Sequence, residues 1–174
     1  VAVRPDFLGG HAAITRLLFQ KNKLAEAEAQ IGKMKAFAAN HPQTKFLEAQ
    51  LAFQKKDFKL ARSHLQHVLK SSPNNALGLQ LAGAVELELG STLEAEAYLS
   101  KAVQLAPDLP LARRLLVSTY LRASNTAKAL AALTPGLSRE AVDPELLSLA
   151  GEVYLQSGDA KTAEQYFAKA IKQD

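Results

Sequence analysis

The chain of 174 residues contains no cysteine, no long apolar run and little excess charge. The lack of cysteine excludes disulfides, thiol nucleophiles and thiolate metal sites. No apolar run approaches the roughly 20 residues of a membrane-spanning helix, and no basic-then-apolar export signal opens the chain. Apolar residue types make up 48% and charged types 22%, which is ordinary usage for a folded protein. We therefore expect a folded chain that does not insert into a membrane.

Residue sets that carry catalysis are also missing. Neither a Gly-rich phosphate loop nor a Gly-x-Ser-x-Gly serine motif occurs. Carboxylate pairs such as Glu86 and Glu88 are two residues apart, which separates them by about 200° around a helix. Of the histidines, only His64 and His67 could share a helix face, and no carboxylate lies one turn away to complete a metal site. The sequence predicts no enzyme, no cofactor and no metal ion.

A period of 34 residues organises the chain. Alanine stands at position 20 of each period, and a large apolar residue stands four positions later on the same helix face. The five units, here called repeats 1 to 5, are 8–41, 42–75, 76–109, 110–143 and 144–174. The two sets of residues are Ala27, Ala61, Ala95, Ala129 and Ala163, then Ile31, Leu65, Leu99, Leu133 and Phe167.

Each repeat is interrupted at positions 15 and 16. Position 15 includes Asn22, Gly90 and Gly158, which tolerate the left-handed backbone that ends a helix. Position 16 includes Asp57 and Asp159, whose side chains can accept hydrogen bonds from the first amides of a new helix. Each repeat is therefore predicted to be a pair of antiparallel helices.

Repeat 4 departs from this pattern. Pro135 and Gly136 should end its second helix early, because proline cannot donate the helical hydrogen bond. We expect a loop from Gly136 to Asp143, with Asp143 capping the next helix and Pro144 opening it.

The residues at fixed offsets resemble the tetratricopeptide repeat, whose period is also 34 residues. The matching series are Gly83, Gly90, Ala95, Ala102 and Pro107, and Gly151, Tyr154, Ala163, Phe167 and Ala170. The resemblance implies an all-α fold, a right-handed α-solenoid or superhelix of about five helix-turn-helix repeats, forming a single array over 1–174. It also implies a non-catalytic scaffold for protein–protein interaction, with an inner groove lined by the first helix of each repeat.

In that family the inner groove is lined by positions 2, 5, 9, 12 and 13. The peptide-binding residues predicted on this rule are Gln43, Phe46, Gln50, Phe53, Gln54, Leu77, Gln80, Leu87, Arg114, Ser118, Leu121 and Arg122. Apolar residues at position 12 would form a stripe, and glutamines beside it can hydrogen-bond a peptide backbone in either sense. The alternative is that position 12 packs against the second helix of its own repeat, with rings such as Phe46 and Phe53 only partly exposed.

Family members that hold a chaperone's C-terminal carboxylate use lysine at position 5 and asparagine at position 9. This chain has neither residue type at those positions in any repeat. A chaperone tail is therefore not expected, although Arg114 with Arg122 could meet an acidic segment of a partner.

The formal net charge of the chain is +4. Repeats 1, 2 and 4 are net positive and repeats 3 and 5 are net negative, so the positive charge is greatest over the first 75 residues. The lysines of that segment, among them Lys55, Lys56 and Lys70, are expected mainly at turns and outer faces. A nucleic-acid binder would show one basic stripe interleaved with stacking aromatics. We therefore expect a protein or peptide partner and no nucleic acid.

Three stretches, 41–66, 81–122 and 149–170, are similar to the tetratricopeptide lipoproteins of the exosortase and PEP-CTERM protein-sorting system. That likeness implies a part in protein sorting and exopolysaccharide export, in the periplasm, with a lipid anchor at a distant N-terminus; without it, a cytoplasmic location is expected. Because the chain begins at Val1 and stops within the pattern at Asp174, we expect it to be a piece of a longer protein. The alternative function is a structural spacer, or a module that self-associates through the open ends of the array.

Overall fold

The computed structural model describes residues 6–138 and 142–173. Within this part of the chain there are ten α-helices and no strand, so the all-α prediction is confirmed. None of these helices is long and apolar enough to cross a membrane. The helices are α1 (Leu8–Gln20), α2 (Leu24–Ala38), α3 (Pro42–Gln54), α4 (Phe58–Ser71), α5 (Ala76–Glu88), α6 (Thr92–Leu105), α7 (Pro110–Arg122), α8 (Thr126–Leu137), α9 (Pro144–Gln156) and α10 (Ala160–Ile171).

The chain divides into two compact units, Val1–Val85 and Glu86–Asp174, and the boundary falls within α5. In the first unit α1 packs on α2, α2 on α3 and α3 on α4, while α1 also contacts α3. In the second unit α6 packs on α7, α7 on α8, α8 on α9 and α9 on α10, while α7 also contacts α9. Each unit is thus a set of helix pairs packed side by side.

A left-handed residue separates the two helices of every repeat. The backbone φ angle is positive at position 15 in all five repeats: 54° at Asn22, 61° at Lys56, 77° at Gly90, 52° at Ser124 and 88° at Gly158. Asparagine and glycine favour this region, whereas lysine and serine do not. The packing of the two helices therefore imposes the turn even where the local residue opposes it.

Side-chain caps follow these turns. In repeats 2, 4 and 5 the residue at position 16 accepts a hydrogen bond from the backbone amide three positions later, which satisfies one of the free amides at the start of the helix. The pairs are Asp57 and Leu60 at 3.1 Å, Asn125 and Lys128 at 3.1 Å, and Asp159 and Thr162 at 3.0 Å. Lys23 and Ser91, at this position in repeats 1 and 3, make no side-chain cap.

The alanines at position 20 lie at the closest approach of helices. All five are at most 1% exposed, and the apolar residues four positions later are at most 3% exposed except Phe167, which is half-buried. In the first unit the core joins Ala12, Ile31, Met34, Leu47 and Leu51. In the second unit it is built from Leu87, Ala95, Leu99, Leu116, Val117, Tyr120, Ala129, Leu133, Leu146, Ala150 and Val153.

The second helix of repeat 4 ends early, at position 28, whereas α2, α4 and α6 reach positions 31, 30 and 30. The expected stop at Pro135 and Gly136 is wrong. α8 continues through Pro135 and Gly136 and ends at Leu137. Proline removes the amide that would donate to the carbonyl of Ala131, and its ring crowds that carbonyl. In the same turn Arg113 on α7 donates from Nη1 to the carbonyl of Ala132, at 2.8 Å. The cap is as expected, because Asp143 accepts from the amide of Glu145 at 3.0 Å. Residues 139–141 of the expected loop lie outside the described residues.

Candidate functional site

Five of the predicted groove residues lie on one side of α3. Steps of three and four residues keep side chains on the same helix face. The first four are half-buried and the last is exposed. These residues, here called the α3 stripe, are Gln43, Phe46, Gln50, Phe53 and Gln54. The structure therefore brings them together on a helix face that is partly open to solvent.

The ring of Phe53 belongs to the α3 stripe and also packs against α4. Its centroid lies 5.5 Å from that of Phe58, edge-on at 63°, and Phe58 is the first residue of α4. Position 12 therefore packs against the second helix of its own repeat, as the alternative has it. Because Phe53 remains half-buried, part of the ring is still available to a ligand.

Gln50 has an unused hydrogen-bond acceptor. Its Oε1 atom is buried and has no hydrogen-bond partner within the described part of the chain. An unsatisfied acceptor away from water costs free energy, typically about 1–3 kcal/mol. Gln50 lies between Phe46 and Phe53 in the α3 stripe. If its side chain turned outward, a backbone N–H of a bound peptide would satisfy the acceptor.

The remaining apolar groove residues are divided between the surface and the core. Leu77 on α5 is 51% exposed. Leu87, by contrast, is 8% exposed and belongs to the core of the second unit with Ala95 and Leu99. Leu121 packs partly buried against that core. At these two position-12 leucines the packing alternative describes the structure.

The polar groove residues of the second unit are engaged differently. Arg114 pairs with Asp143 at 3.3 Å between Nη1 and Oδ2, and with Glu145. Its charge is therefore already used within the unit. Ser118 is half-buried and Arg122 is exposed, while Gln80 on α5 in the first unit is half-buried.

A second polar site, which the sequence prediction missed, surrounds Glu48 on another side of α3. Glu48 is 9% exposed and is paired with Lys45 at 2.8 Å and with Lys35 of α2 at 3.0 Å. His64 of α4 brings its Nδ1 atom to 3.9 Å from Glu48. Only the Lys45–Glu48 spacing of three residues is visible in the sequence, because the other partners come from neighbouring helices.

The charges around Glu48 set its protonation and that of His64. Burial alone would raise the pKa of Glu48, but hydrogen bonds from Lys45 and Lys35 outweigh it and the pKa is lowered. Burial lowers the pKa of His64, and the nearby Glu48 carboxylate opposes this only in part. Both groups therefore favour their deprotonated forms in the folded chain.

Beside this cluster lies an open crevice of about 460 Å³ between α2, α3 and α4, here called the α2–α4 crevice. Its walls combine apolar side chains with charged ones. Lining residues are Glu28, Ile31, Gly32, Lys35, Glu48, Leu51, Ala52, Lys55, Asp57, Leu60 and His64. Six of these eleven residues are ionisable, so the crevice suits a small group that offers both apolar surface and a polar atom.

Metal binding finds no support in this part of the molecule. Within residues 6–138 and 142–173, no group of three or more histidine, aspartate and glutamate side chains is placed to hold a metal ion. His64 is directed at Glu48, and His67 is exposed.

Comparison with known proteins identifies the repeat. The family model for the tetratricopeptide repeat matches residues 46–110 and 114–174. No curated protein matches the chain.

Several solved structures share the fold. MamA 41-end from Desulfovibrio magneticus RS-1 is 21% identical, with a TM-score of 0.79 over 93% of this chain and 92% of that one. YrrB, described as a TPR protein with an unusual peptide-binding site, is 20% identical, with a TM-score of 0.73 over 93% and 84%. PilF of Pseudomonas aeruginosa is 15% identical, with a TM-score of 0.78 over 94% and 74%. At these identities the likeness shows the fold alone.

Proposed function

Because the chain belongs to the tetratricopeptide repeat family, whose members generally mediate protein–protein interaction, we propose that it is a non-catalytic scaffold that binds a peptide segment along the α3 stripe. The observation that carries this proposal is the buried, unpartnered Oε1 atom of Gln50 between two half-buried phenylalanine rings. YrrB, which shares the fold, is described as having a peptide-binding site.

The spacing of the rings suits an extended peptide. Phe46 and Phe53 are seven residues apart, which is about 10 Å along the helix axis. An extended chain covers that distance with about three residues. The two rings would hold apolar side chains of the peptide, and Gln50 would accept a hydrogen bond from the backbone N–H between them. A segment within a chain fits this arrangement better than a C-terminal carboxylate, because the lysine and asparagine of the carboxylate clamp are absent.

Binding is tested with peptides selected from a random library of twelve-residue peptides displayed on phage. Phe46→Ala combined with Phe53→Ala should weaken binding of the selected peptides about tenfold or more, since each buried ring contributes to affinity. Gln50→Met, which removes the acceptor at similar volume, should weaken binding by a smaller factor. Fluorescence polarisation gives the affinities, and circular dichroism checks that the helices are retained.

A matched control uses exposed leucines on another helix. Leu93→Ala combined with Leu105→Ala removes apolar side chains that are 79% and 44% exposed on α6. This variant should bind the selected peptides as the unchanged chain does. Equal binding by both double variants would remove the α3 stripe as the site.

The stretches 41–66, 81–122 and 149–170 resemble the exosortase-associated lipoproteins. This resemblance supports a finer proposal about the partner: the bound segment belongs to a protein that the exosortase system sorts or exports, in the periplasm. Cross-linking of the chain in bacterial envelopes, with the phenylalanine double variant as the comparison, tests it. Capture that is the same with both chains would count against this partner.

A second candidate function is self-association. Ile171 of α10 is 77% exposed and borders a crevice of about 380 Å³ that also involves Pro144, Ser148 and Phe167. A second copy could cover this apolar surface. Light scattering over a range of concentrations tests it, and Ile171→Glu should abolish any growth in mass.

A further inference from the structure

The repeat pattern allows the α2–α4 crevice to be compared with the equivalent places in repeats 4 and 5. In each case the first helix of a repeat lies between its own second helix and the second helix of the repeat before. The three sets are α2, α3 and α4, then α6, α7 and α8, then α8, α9 and α10. Position 11 of the first helix is Ala52 in repeat 2, Tyr120 in repeat 4 and Tyr154 in repeat 5.

In repeat 4 the tyrosine fills the space between the helices. Tyr120 is 8% exposed and belongs to the core. Its hydroxyl lies 3.4 Å from Oε1 of Glu96 and 3.5 Å from Oγ of Ser100, both on α6. Lys128 of α8 lies 5.5 Å from the ring centroid and is 2.6 Å from Glu96, so it closes the space over the ring.

Repeat 5 uses its tyrosine in a related way. The ring of Tyr154 stacks on that of Tyr166 of α10, with 5.3 Å between centroids and 7° between planes. Tyr166 stands at position 23, where repeat 2 has His64. Both repeats that carry tyrosine at position 11 therefore hold its ring against a side chain of the same repeat's second helix.

Repeat 2 keeps the glutamate beside this tyrosine but lacks the ring. Ala52 takes the place of Tyr120, and Gly32 takes the place of Ser100. A Cβ atom added at Gly32 would meet nothing within 4 Å. Glu28 stands at the position of Glu96 and lines the crevice together with His64 and Leu60, which is 46% exposed. The open volume of about 460 Å³ lies where repeat 4 places its own phenol ring.

We propose that the α2–α4 crevice binds a tyrosine side chain of a partner protein. The ring enters beside Leu60 and Ala52 and lies against the imidazole of His64. The tyrosine hydroxyl donates to the carboxylate of Glu28, as the hydroxyl of Tyr120 donates to Glu96 in repeat 4. The Glu28 carboxylate is paired with Lys55 at 2.7 Å, as Glu96 is paired with Lys128 in repeat 4, and it can still accept a hydrogen bond from a hydroxyl. Phenylalanine fits the apolar part of the crevice but cannot donate this hydrogen bond, so the site prefers tyrosine.

This site is separate from the α3 stripe. Ala52 and Gln50 are two residues apart on α3, which directs their side chains about 200° apart around the helix. A partner held in the α2–α4 crevice therefore leaves the α3 stripe open, and each site can be tested without the other.

The test uses p-cresol, which is the side chain of tyrosine as a free molecule, and toluene as its counterpart for phenylalanine. The whole chain is labelled with ¹⁵N, and amide shifts are followed as either molecule is added. We expect saturable shifts at Gly32, Ala52 and His64 with roughly millimolar affinity for p-cresol, in line with the small size of the probe. Toluene should bind several-fold more weakly.

Three variants make the result decisive. Ala52→Tyr should raise the melting temperature and abolish the p-cresol shifts, because it supplies the ring from within the chain. Gly32→Leu, at an exposed helical position, should block the crevice without disturbing the fold. Tyr120→Ala opens the equivalent space in repeat 4 and should gain p-cresol shifts at Glu96 and Ser100, which shows that such a crevice can accept a phenol.

The proposal is overturned if p-cresol shifts no amide around the crevice while Tyr120→Ala gains binding, or if shifts occur only along the α3 stripe. Equal affinity for toluene and p-cresol would remove the role of Glu28. If Ala52→Tyr abolished a concentration-dependent association of the chain with itself, the occupant would be a second copy and not a partner protein.

Discussion

The crevice in the first unit and its counterpart in the second are built on the same helical frame but are filled differently. In the second unit Tyr120 occupies the space, and Lys128 with Glu96 closes it. In the first unit Ala52 and Gly32 leave the space open beside a buried carboxylate, Glu48. Both sets of helices bury a position-20 alanine completely, Ala61 in the first unit and Ala129 in the second. Packing of a repeat therefore depends on the small residues at its closest approaches, whereas the residues between helices can vary and give each repeat its own surface.

The largest expected loss of stability comes from removing the tyrosine ring that fills the space between helices in the second unit. Tyr120→Ala should lower the free energy of unfolding by about 3–5 kcal/mol, because it deletes a buried ring and leaves a cavity. Urea unfolding followed by circular dichroism measures it. Tyr120→Phe is the control and should cost about 1 kcal/mol or less, since the hydroxyl makes only long hydrogen bonds. A loss below 1 kcal/mol for Tyr120→Ala would mean that the two crevices do not differ in the way described here.

The helical frame could be predicted from the sequence because it rests on local signals that repeat. The 34-residue period, the alanines at position 20 and the caps at Asp57 and Asp159 each specify a helix or its end, and the structure places them as predicted. The left-handed backbone at Lys56 and Ser124 was not predicted from those residues, because helix packing overrides their local preference.

Features that depend on several helices could not be predicted. The second helix of repeat 4 continues two residues past Pro135, and its last turn contacts Arg113, a residue of another helix. The partners of Glu48 come from α2 and α4, so no spacing in the sequence reveals them. One signal was present, namely the alanine at position 11 of repeat 2 where repeats 4 and 5 have tyrosine. Repeats 1 and 3 carry Leu18 and Glu86 at this position, so the sequence alone does not single out the alanine of repeat 2.

A smaller loss of stability is expected from adding a methyl group at Gly136, where the second unit is tightly packed. A Cβ atom at Gly136 would lie 2.5 Å from Cδ2 of Leu146 and 2.7 Å from Cδ of Arg113, and both of these side chains are buried. Gly136→Ala should therefore destabilise the chain by about 1–3 kcal/mol through overpacking. Urea unfolding gives the value. A variant as stable as the unchanged chain would show that Leu146 and Arg113 can move aside.

A glycine-to-alanine substitution in the first unit should have the opposite effect on stability. Gly32 is exposed within α2, and a Cβ atom there meets nothing within 4 Å. Gly32→Ala should stabilise the chain by about 0.5–1 kcal/mol, because alanine loses less backbone entropy in a helix than glycine. The two alanine substitutions are measured side by side. A destabilising Gly32→Ala would mean that the space beside Gly32 is not open in the folded chain.

The smallest expected effect is a pH dependence that belongs to the first unit. The pKa values of His64 and Glu48 are both lowered in the folded chain, so the unfolded chain binds more protons as the solution is acidified. Stability is therefore fully present above the ordinary His value of 6.5, and part of it is lost as the pH falls below that value. A second part is lost below the ordinary Glu value of 4.5. His64→Gln should remove the loss of stability that begins near pH 6.5, whereas His67→Gln, a change at an exposed neighbour, should leave that loss in place.

Urea midpoints between pH 8 and pH 4 measure both losses of stability. If the loss near pH 6.5 survives in His64→Gln, it belongs to another group.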